Sequence, residues 1–419
     1  MKAEIITIGD ELLIGQTVDT NSGWIGEQLS LMGIKVHQVS SITDEENHII
    51  TALDEASKRA QIIILTGGLG PTKDDLTKHT LCKYFDTELV LNCDVLEKLE
   101  GLYKKYDVPF NAVNQEQALL PKACITLPNT RGTASGMWFE KDDIVYISLP
   151  GVPHEMKGIL VKEGFPKLEA HFDLPLVVHK TVRTMGAPES KLAQILETWE
   201  NSLVEHALKL AYLPSPGAVR LRVSGEASRS VNLDSIVQQK IDELPELIGD
   251  YIYGYEKESI QEVVGNLLLE QGKTLGTAES CTGGSISRLI TGISGSSAYF
   301  KGSIVSYANE VKVNLLNVSP ESIEKHGAVS EQVVTQMANN AREILQADYA
   351  VATSGVAGPT GGSAEKPVGT VWIAVAAENE VRSKKLTLPY DHRGRNISVS
   401  ADYALAFLRS EFLVDRKLK

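Results

Sequence analysis

Cysteine is scarce and scattered in this chain. The four residues, Cys82, Cys93, Cys124 and Cys281, form neither a Cys-x-x-Cys pair nor a disulfide ladder, so reduced thiols in a cytoplasmic protein are the expectation. Long apolar runs are missing: no window approaches the roughly 18 to 20 residues that a membrane span needs. The opening Met1–Ile5 carries Glu4 inside its short apolar stretch and lacks a small-residue cleavage site, so it reads as a strand and not a signal peptide. Clusters of Lys and Arg are absent too. With a formal charge of −13 spread along the chain, the sequence argues against nucleic acid as a partner, because neutralising phosphates takes clustered cations.

What is present is the composition of an ordinary globular protein, 42% apolar and 23% charged over 419 residues, enough for about three domains with their own cores. Strand and helix signals alternate through residues 1–170. Residues 3–8 read as a strand, 22–32 as a helix stopped by Gly33, and 35–42 as a second strand. Thr43 and Glu46 have the spacing of a capping box before a helix carrying Ile49, Ile50, Leu53 and Ala56 on one face. Residues 61–65 are almost continuously apolar, as in a strand buried on both faces of a parallel sheet. The fold class expected is α/β: a doubly wound, mostly parallel sheet in 1–170, a small α+β linker module in 171–255, and a second α/β domain in 256–419.

In doubly wound sheets ligands gather at the carboxyl ends of the strands, and the unusual residues of the first domain fall there. Gly9-Asp10-Glu11 ends the first strand and Gly67-Gly68-Leu69-Gly70-Pro71-Thr72-Lys73-Asp74-Asp75 follows the third. Gly67, Gly68, Gly70 and Thr72 are candidates to cradle a phosphate. Asp10, Glu11, Asp74 and Asp75, with Glu155 from the loop after a strand at 144–148, supply hard oxygen ligands suited to a divalent cation such as Mg²⁺, Mn²⁺ or Co²⁺. Acids also favour helix N-termini on electrostatic grounds alone.

Prolines 175, 188, 214, 216 and 245 punctuate the middle region. Strands are expected at 177–184, 219–224 and 251–255 and helices at 189–199 and 233–244. The module has no Gly-x-x-Gly loop and no basic stripe, which disfavours RNA binding and leaves it as a spacer or dimerisation element.

In the last domain Ser259 and Glu262 form another capping-box pair. Residues 274–278 read as the end of a strand and Ser285–Ile290 as a helix start, so Ser280 stands at a strand-to-helix elbow. There the first-turn N–H groups are free to hold an oxyanion or a phosphate; the plainer reading is a Ser helix cap. Thr282, Gly283 and Gly284 belong to that turn. A strand at 298–306 and a helix at 309–316 place Tyr307 and Lys312 close enough to face one pocket. Two further stretches look like substrate contacts. One is the glycine-rich loop after a buried strand at 349–352, with Thr353, Ser354, Gly355 and Gly358. The other is the start of the final helix, where Arg393 and Arg395 suit a phosphate monoester. Residues 330–345, with Val333, Val334, Met337, Ala338, Ala341, Ile344 and Leu345 at helical spacing, read as core packing.

The runs Gly9–Ser22, Gly67–Asp75 and Pro150–Met156 closely resemble the molybdopterin-binding-like domain of the CinA (competence/damage-inducible) family. Thr277–Gly284 with Ser306–Lys312 resembles the C-terminal domain of the same proteins, which also occurs alone as a nicotinamide mononucleotide deamidase. The middle module resembles the family's KH-like linker. For the first domain the resemblance implies a metal-dependent ADP-ribose pyrophosphatase; which acid holds metal and which orients water stays open. For the last domain it implies a metal-free amidohydrolase with its catalytic serine, tyrosine and lysine at Ser280, Tyr307 and Lys312. Small nucleotides as substrates and a homodimer follow from the same resemblance. Two other functions stay open: a first domain that only binds a pterin or nucleotide, and a competence-linked adaptor without activity.

Hydrolysing an amide takes a nucleophile, a base and oxyanion donors. Lys312 would serve as base only if desolvation brings its pKa toward neutrality, and Tyr307 would relay the proton. Cys281 is the competing nucleophile; His326 and His392 are its only conceivable partners, distant in sequence.

Overall fold

A computed structural model of the chain describes residues 1–70, 75–227 and 232–414. It divides into two compact units. The first comprises residues 1–178 with 226–233, the second 179–225 with 234–419.

The first unit is built on β1 (Lys2–Ile8), β2 (Lys35–Ile42), β3 (Ile62–Thr66), a small antiparallel pair β4 (Leu89–Leu91) and β5 (Leu119–Pro121), and then β6 (Ile125–Leu127), β7 (Gly136–Lys141) and β8 (Ile144–Leu149). Its sheet runs β2-β1-β3-β8-β7-β6. The four strands from β2 to β8 are parallel, while β7 and β6 are antiparallel. All five residues of β3 are buried, as its unbroken apolar run requires with helices covering both faces. Alternate residues serve the two sides: Ile62 and Ile64 pack with Ile25 and Leu29, Ile63 and Leu65 with Ile49 and Leu53.

One local expectation fails here. The helix Glu46–Ser57 is preceded by Glu45 as N-cap and has no side-chain cap hydrogen bond; the Thr43 hydroxyl instead shares a 3.0 Å hydrogen bond with His48 Nδ1. Glu45 occupies the extended position that a capping Ser or Thr would need, so the helix starts two residues later than Thr43 could cap.

The second unit carries two sheets. The smaller combines β9 (Leu176–Met185), β10 (Leu208–Ser215), β11 (Ala218–Ala227) and β12 (Ile252–Tyr255) in the order β10-β11-β9-β12. Strand β10 is absent from the sequence-based expectation; its segment Leu208–Ser215 is half polar and joins β11 across the tight turn at Pro216-Gly217. The expected helix over 233–244 is two helices, Leu233–Asp242 and Leu244–Ile248, the second with Pro245 in its first turn.

The larger sheet contains β13 (Leu275–Glu279), β14 (Phe300–Val305), β15 (Tyr349–Gly355), β16 (Thr370–Ala376) and β17 (Val381–Thr387), ordered β14-β13-β15-β16-β17. Strands β14, β13 and β15 are parallel; β16 and β17 complete the sheet antiparallel. Residue size decides what covers each face. Ala278, Ala350, Ala352, Ala374 and Ala376 present a small-residue surface to Val333, Val334, Met337, Ala338 and Ala341 of the helix Glu331–Ile344, which lets that helix lie close. Ile344, expected in this core, is exposed. On the other face Val351, Val371, Ile373 and Val375 pack with Val264, Leu268, Val399 and Leu405. The Ser259/Glu262 capping box forms as expected ahead of the helix Ile260–Glu270.

Candidate functional site

The chain leaves β13 first for β14 on one side and later returns to β15 on the other, so β13 is the switch point of the parallel part of this sheet. The crevice at the carboxyl ends of such strands is where ligands lodge. A cavity of about 200 Å³ lies there, and the residues used below that line it are Ser280, Cys281, Tyr307, Lys312, Ser354 and Arg393.

Ser280 follows β13 directly. Its N–H donates to Thr353 O at 3.0 Å, while Ser306 N–H donates to Glu279 O at 2.8 Å, so the elbow is stitched to both neighbouring strands. Gly284 sits at the N-cap of the helix Ser285–Thr291 with φ +95°, a left-handed conformation that makes the turn possible.

Sequence reasoning missed what holds this elbow. Glu279 is fully buried. Its Oε2 accepts from Thr282 Oγ1 (2.7 Å), Gly284 N–H (3.0 Å) and Ile286 N–H (3.0 Å), and its Oε1 from Ser287 N–H (2.8 Å) and Ser287 Oγ (3.0 Å). Gly283 N–H donates to Ser280 O and Ser285 N–H to Thr282 O. The amides from Gly283 to Ser287 are therefore committed inside the protein, and the positive end of the helix is answered by a protein carboxylate. The donors expected to meet an oxyanion or phosphate at Gly283 and Gly284 serve the elbow itself. Thr282 and Thr353 share a 2.7 Å hydrogen bond, both buried, and they brace the turn from below. Glutamine at position 279 offers one acceptor oxygen in place of two and turns an NH₂ toward backbone donors. Glu279→Gln is expected to reduce turnover about 100-fold, the cost of a small misplacement of a reacting group, with KM little changed; an unaltered kcat would show that the clamp does not position Ser280.

Lys312 lies on the helix Asn309–Leu316 and is 1% exposed. Its Nζ donates to the carbonyls of Ser306 (2.8 Å) and Tyr307 (3.2 Å). Burial lowers its pKa, with the Cys281 sulfur acting in the opposite sense. The two carbonyls take up two of the Lys312 N–H bonds. Burial pushes the Cys281 thiol up to about 12, with Glu279 adding to the rise, which leaves Cys281 a thiol at neutral pH and a poor nucleophile. His392 caps the final helix, its Nδ1 accepting from Arg395 N–H, so it serves no cysteine.

Arg393 donates through Nη2 to Tyr307 Oη (2.8 Å) and through Nη1 to Gly358 O (2.9 Å), bridging the two loops at the exposed rim. Arg395 does not line the cavity; its guanidinium lies 5.4 Å from the Tyr390 ring centroid. Ser354 donates to Ala328 O at 2.7 Å. Gly355 joins it in the cavity wall. Asn396, also missed, is buried and donates to Ala357 O and Tyr390 O, fixing the glycine-rich loop to the final helix.

In the first unit the acidic loops meet at the edge of β2, β1 and β3. Desolvation, then the charges of Asp10 and Glu11, and Asp75 as well, raise Asp44 to about 6. Asp44 follows β2 and is absent from the sequence-based ligand set, although its place two residues beyond a strand next to β1 signals it. Glu155 lies apart: it accepts from Asn129 Nδ2 at 2.6 Å. Thr72 and Asp74 fall outside the described residues. Among the described residues no three His, Cys, Asp or Glu side chains are gathered tightly enough to hold a metal ion. The glycines have a reason other than ligand approach. A Cβ at Gly67 would stand 2.0 Å from Ile8 O, and one at Gly68 2.2 Å from Thr77 Oγ1; Gly67 N–H donates to Leu149 O.

The fold carries one large sheet in its first unit and two sheets in its second, and models of known families match three successive stretches of the chain. Residues 4–170 match the family described as "Probable molybdopterin binding domain", 179–254 the "Damage-inducible protein CinA KH domain", and 257–412 the "CinA C-terminal domain". A CinA-like protein from Cytophaga hutchinsonii is 48% identical, covering 100% of this chain and 98% of that protein; one from Flavobacterium psychrophilum is 47% identical, covering 99% of each. The solved structure of competence/damage inducible protein CihA from Agrobacterium tumefaciens is 39% identical with a TM-score of 0.35, covering 36% of this chain and 91% of that one. The chain belongs to the CinA family. All four of its cysteines are free, and no helix among the described residues is long and apolar enough to cross a membrane.

Proposed function

We propose that this protein is a two-headed hydrolase of pyridine-nucleotide salvage whose C-terminal domain converts nicotinamide mononucleotide and water to nicotinate mononucleotide and ammonia. The observation that carries this reading is the buried Lys312 amine, held by two carbonyls, in the same cavity as the Ser280 hydroxyl. Ser280 Oγ attacks the carboxamide carbon as Lys312 takes its proton; that proton then goes to the departing ammonia, and water cleaves the ester left on Ser280. Tyr307 and Arg393, already hydrogen-bonded to each other, stand at the rim, where a guanidinium suits the sugar phosphate. The test is ammonia release by the full chain from nicotinamide mononucleotide. One ammonia per nicotinate mononucleotide formed is the expected result, and no release above the uncatalysed rate ends the proposal. Small diffusible substrates and four free thiols suit a cytoplasmic enzyme.

For the N-terminal domain we propose hydrolysis of ADP-ribose to AMP and ribose 5-phosphate with a divalent cation. The chemistry of the donor set favours such an ion: burial and the charges of Asp10, Glu11 and Asp75 raise Asp44 to about 6, and a hard cation would relieve that repulsion once these side chains close on it. These residues would hold it, and when bound it would neutralise diphosphate charge. Asp75→Asn is expected to lower metal-dependent AMP release about 100-fold while leaving ammonia release unchanged. No AMP release above the uncatalysed rate with the metal present favours the alternative of a domain that only binds a pterin or nucleotide, and release that survives Asp75→Asn removes Asp75 from the assigned set.

A further inference from the structure

We propose that the cavity between the small four-stranded sheet and the final helix of the second unit is a separate binding site for a nucleoside monophosphate. It encloses about 140 Å³, and its wall includes Gly186, Tyr251, Tyr253, Lys384, Tyr403 and Arg409. None of these residues lines the Ser280 cavity.

Three departures from regular backbone converge on it. The final helix ends at Leu408 and gives way to a π-turn over Arg409–Leu413. The pairing of β12 with β9 slips register between Ile252 and Gly254, at Tyr253. Beyond the end of β9 the chain turns through a left-handed Gly186. Single π-turns and bulges recur where a fold re-aims side chains for binding, and here they bring Gly186, Tyr253 and Arg409 to the wall of one cavity.

The charges in the wall call for an anion. Arg409 makes no ion pair among the described residues, although the charge of Glu258 reaches it, and its Nε is buried without a hydrogen-bond partner, a costly arrangement for a donor that always carries charge. Lys384, on β17, is exposed and likewise makes no ion pair among the described residues. Lys191 adds a third cation, 5.1 Å from the Tyr251 ring centroid. Asp250 is the acid in the wall and is itself engaged. Phosphate on the Arg409 fork and Lys384, with a base against Tyr251 or Tyr403, uses each of these groups as its chemistry suits.

The test is hydrogen–deuterium exchange of the full chain with and without millimolar AMP, which locates binding by segment and so separates this site from either proposed active site. Slower exchange over 184–187, 250–255 and 403–411 is expected. Lys384→Gln and Arg409→Gln are each expected to raise the AMP concentration needed for that protection about tenfold, with protection elsewhere in the chain unchanged. Arg409 is partly buried, so if its variant fails to fold, Lys384→Gln at an exposed strand position carries the test alone. Absence of protection in these segments, or equal protection in the variants, overturns the proposal. Inorganic phosphate alone matching AMP overturns the nucleoside part, and adenosine alone matching AMP overturns the phosphate part.

Discussion

Ser280→Ala is expected to abolish ammonia release from nicotinamide mononucleotide, with kcat reduced about 10⁴-fold or more, the scale of losing a catalytic nucleophile. Cys281→Ala is expected to leave near-normal turnover. The two residues are adjacent and line the same cavity, so position alone does not choose between them. Electrostatics does: the thiol is pushed up to about 12 by burial and stays protonated at neutral pH, whereas an alcohol needs only a base to take its proton during attack. The fold of the Ser280 variant should be intact, because the backbone contacts of Ser280 to Thr353 and Gly283 do not involve its side chain. A thermal melt matching the parent protein alongside lost activity is the expected pair of results. Loss of activity in Cys281→Ala with turnover retained in Ser280→Ala would reverse the assignment.

The elbow was legible in the sequence because its signals are local: an apolar strand end, two glycines, a helical start. The same holds for the strand and helix that bring Tyr307 and Lys312 to it. Glu279 was not legible, since its role depends on a carboxylate folding back under the turn that follows it, onto amides five to eight residues ahead. Nothing in a strand-terminal glutamate marks that. The glycines of the first domain teach the converse. A phosphate cradle and a tight approach of one backbone to another ask for the same residue, and Gly67 against Ile8 O is the second case. Asp44 escaped because sheet order, not sequence proximity, brings β2 beside β1. Arg395 and Arg393 are two residues apart at a helix start; only one turns toward the cavity, a choice set by stacking on Tyr390.

One arrangement ties these residues together. Glu279 fixes the turn, the β14 end carries the carbonyls that hold Lys312, and the final helix sends Arg393 across to Tyr307. Each of the three parallel strands β14, β13 and β15 thus ends in one part of the cavity. The Ala-rich face of β13, β15 and β16 lets the helix Glu331–Ile344 pack closely against the sheet. The geometry proposed for catalysis therefore rests on packing well away from the cavity, and cavity-forming changes such as Met337→Ala are expected to act on stability before ammonia release.

Lys312 gives the second large effect and the sharper test. Replacement by methionine is expected to lower kcat about 10³-fold, within the range for removal of a general base, and replacement by arginine is expected to lower it as much. Arginine keeps a positive charge at this position but does not give up a proton. Substantial rescue by arginine would mean that Lys312 acts as a cation and not as a base. The pH dependence follows from the same state. Desolvation holds the Lys312 pKa below its ordinary 10.5, so turnover should rise with pH through the lowered value and level off above it, as the amine becomes free to accept a proton. Stability carries the matching sign. Between pH 10.5 and the folded pKa the unfolded chain binds the proton and the folded chain does not, so the parent protein loses stability as pH falls through that window and regains it as pH rises. In Lys312→Met that dependence disappears. Two carbonyls lose their donors, at about 1 to 3 kcal/mol each, a cost that does not vary with pH. The variant's melting temperature should therefore gain on the parent's as pH is lowered from 10 to 7. A parent protein whose turnover stays flat across that range, with a melting curve parallel to that of the variant, would leave Lys312 without the role assigned to it.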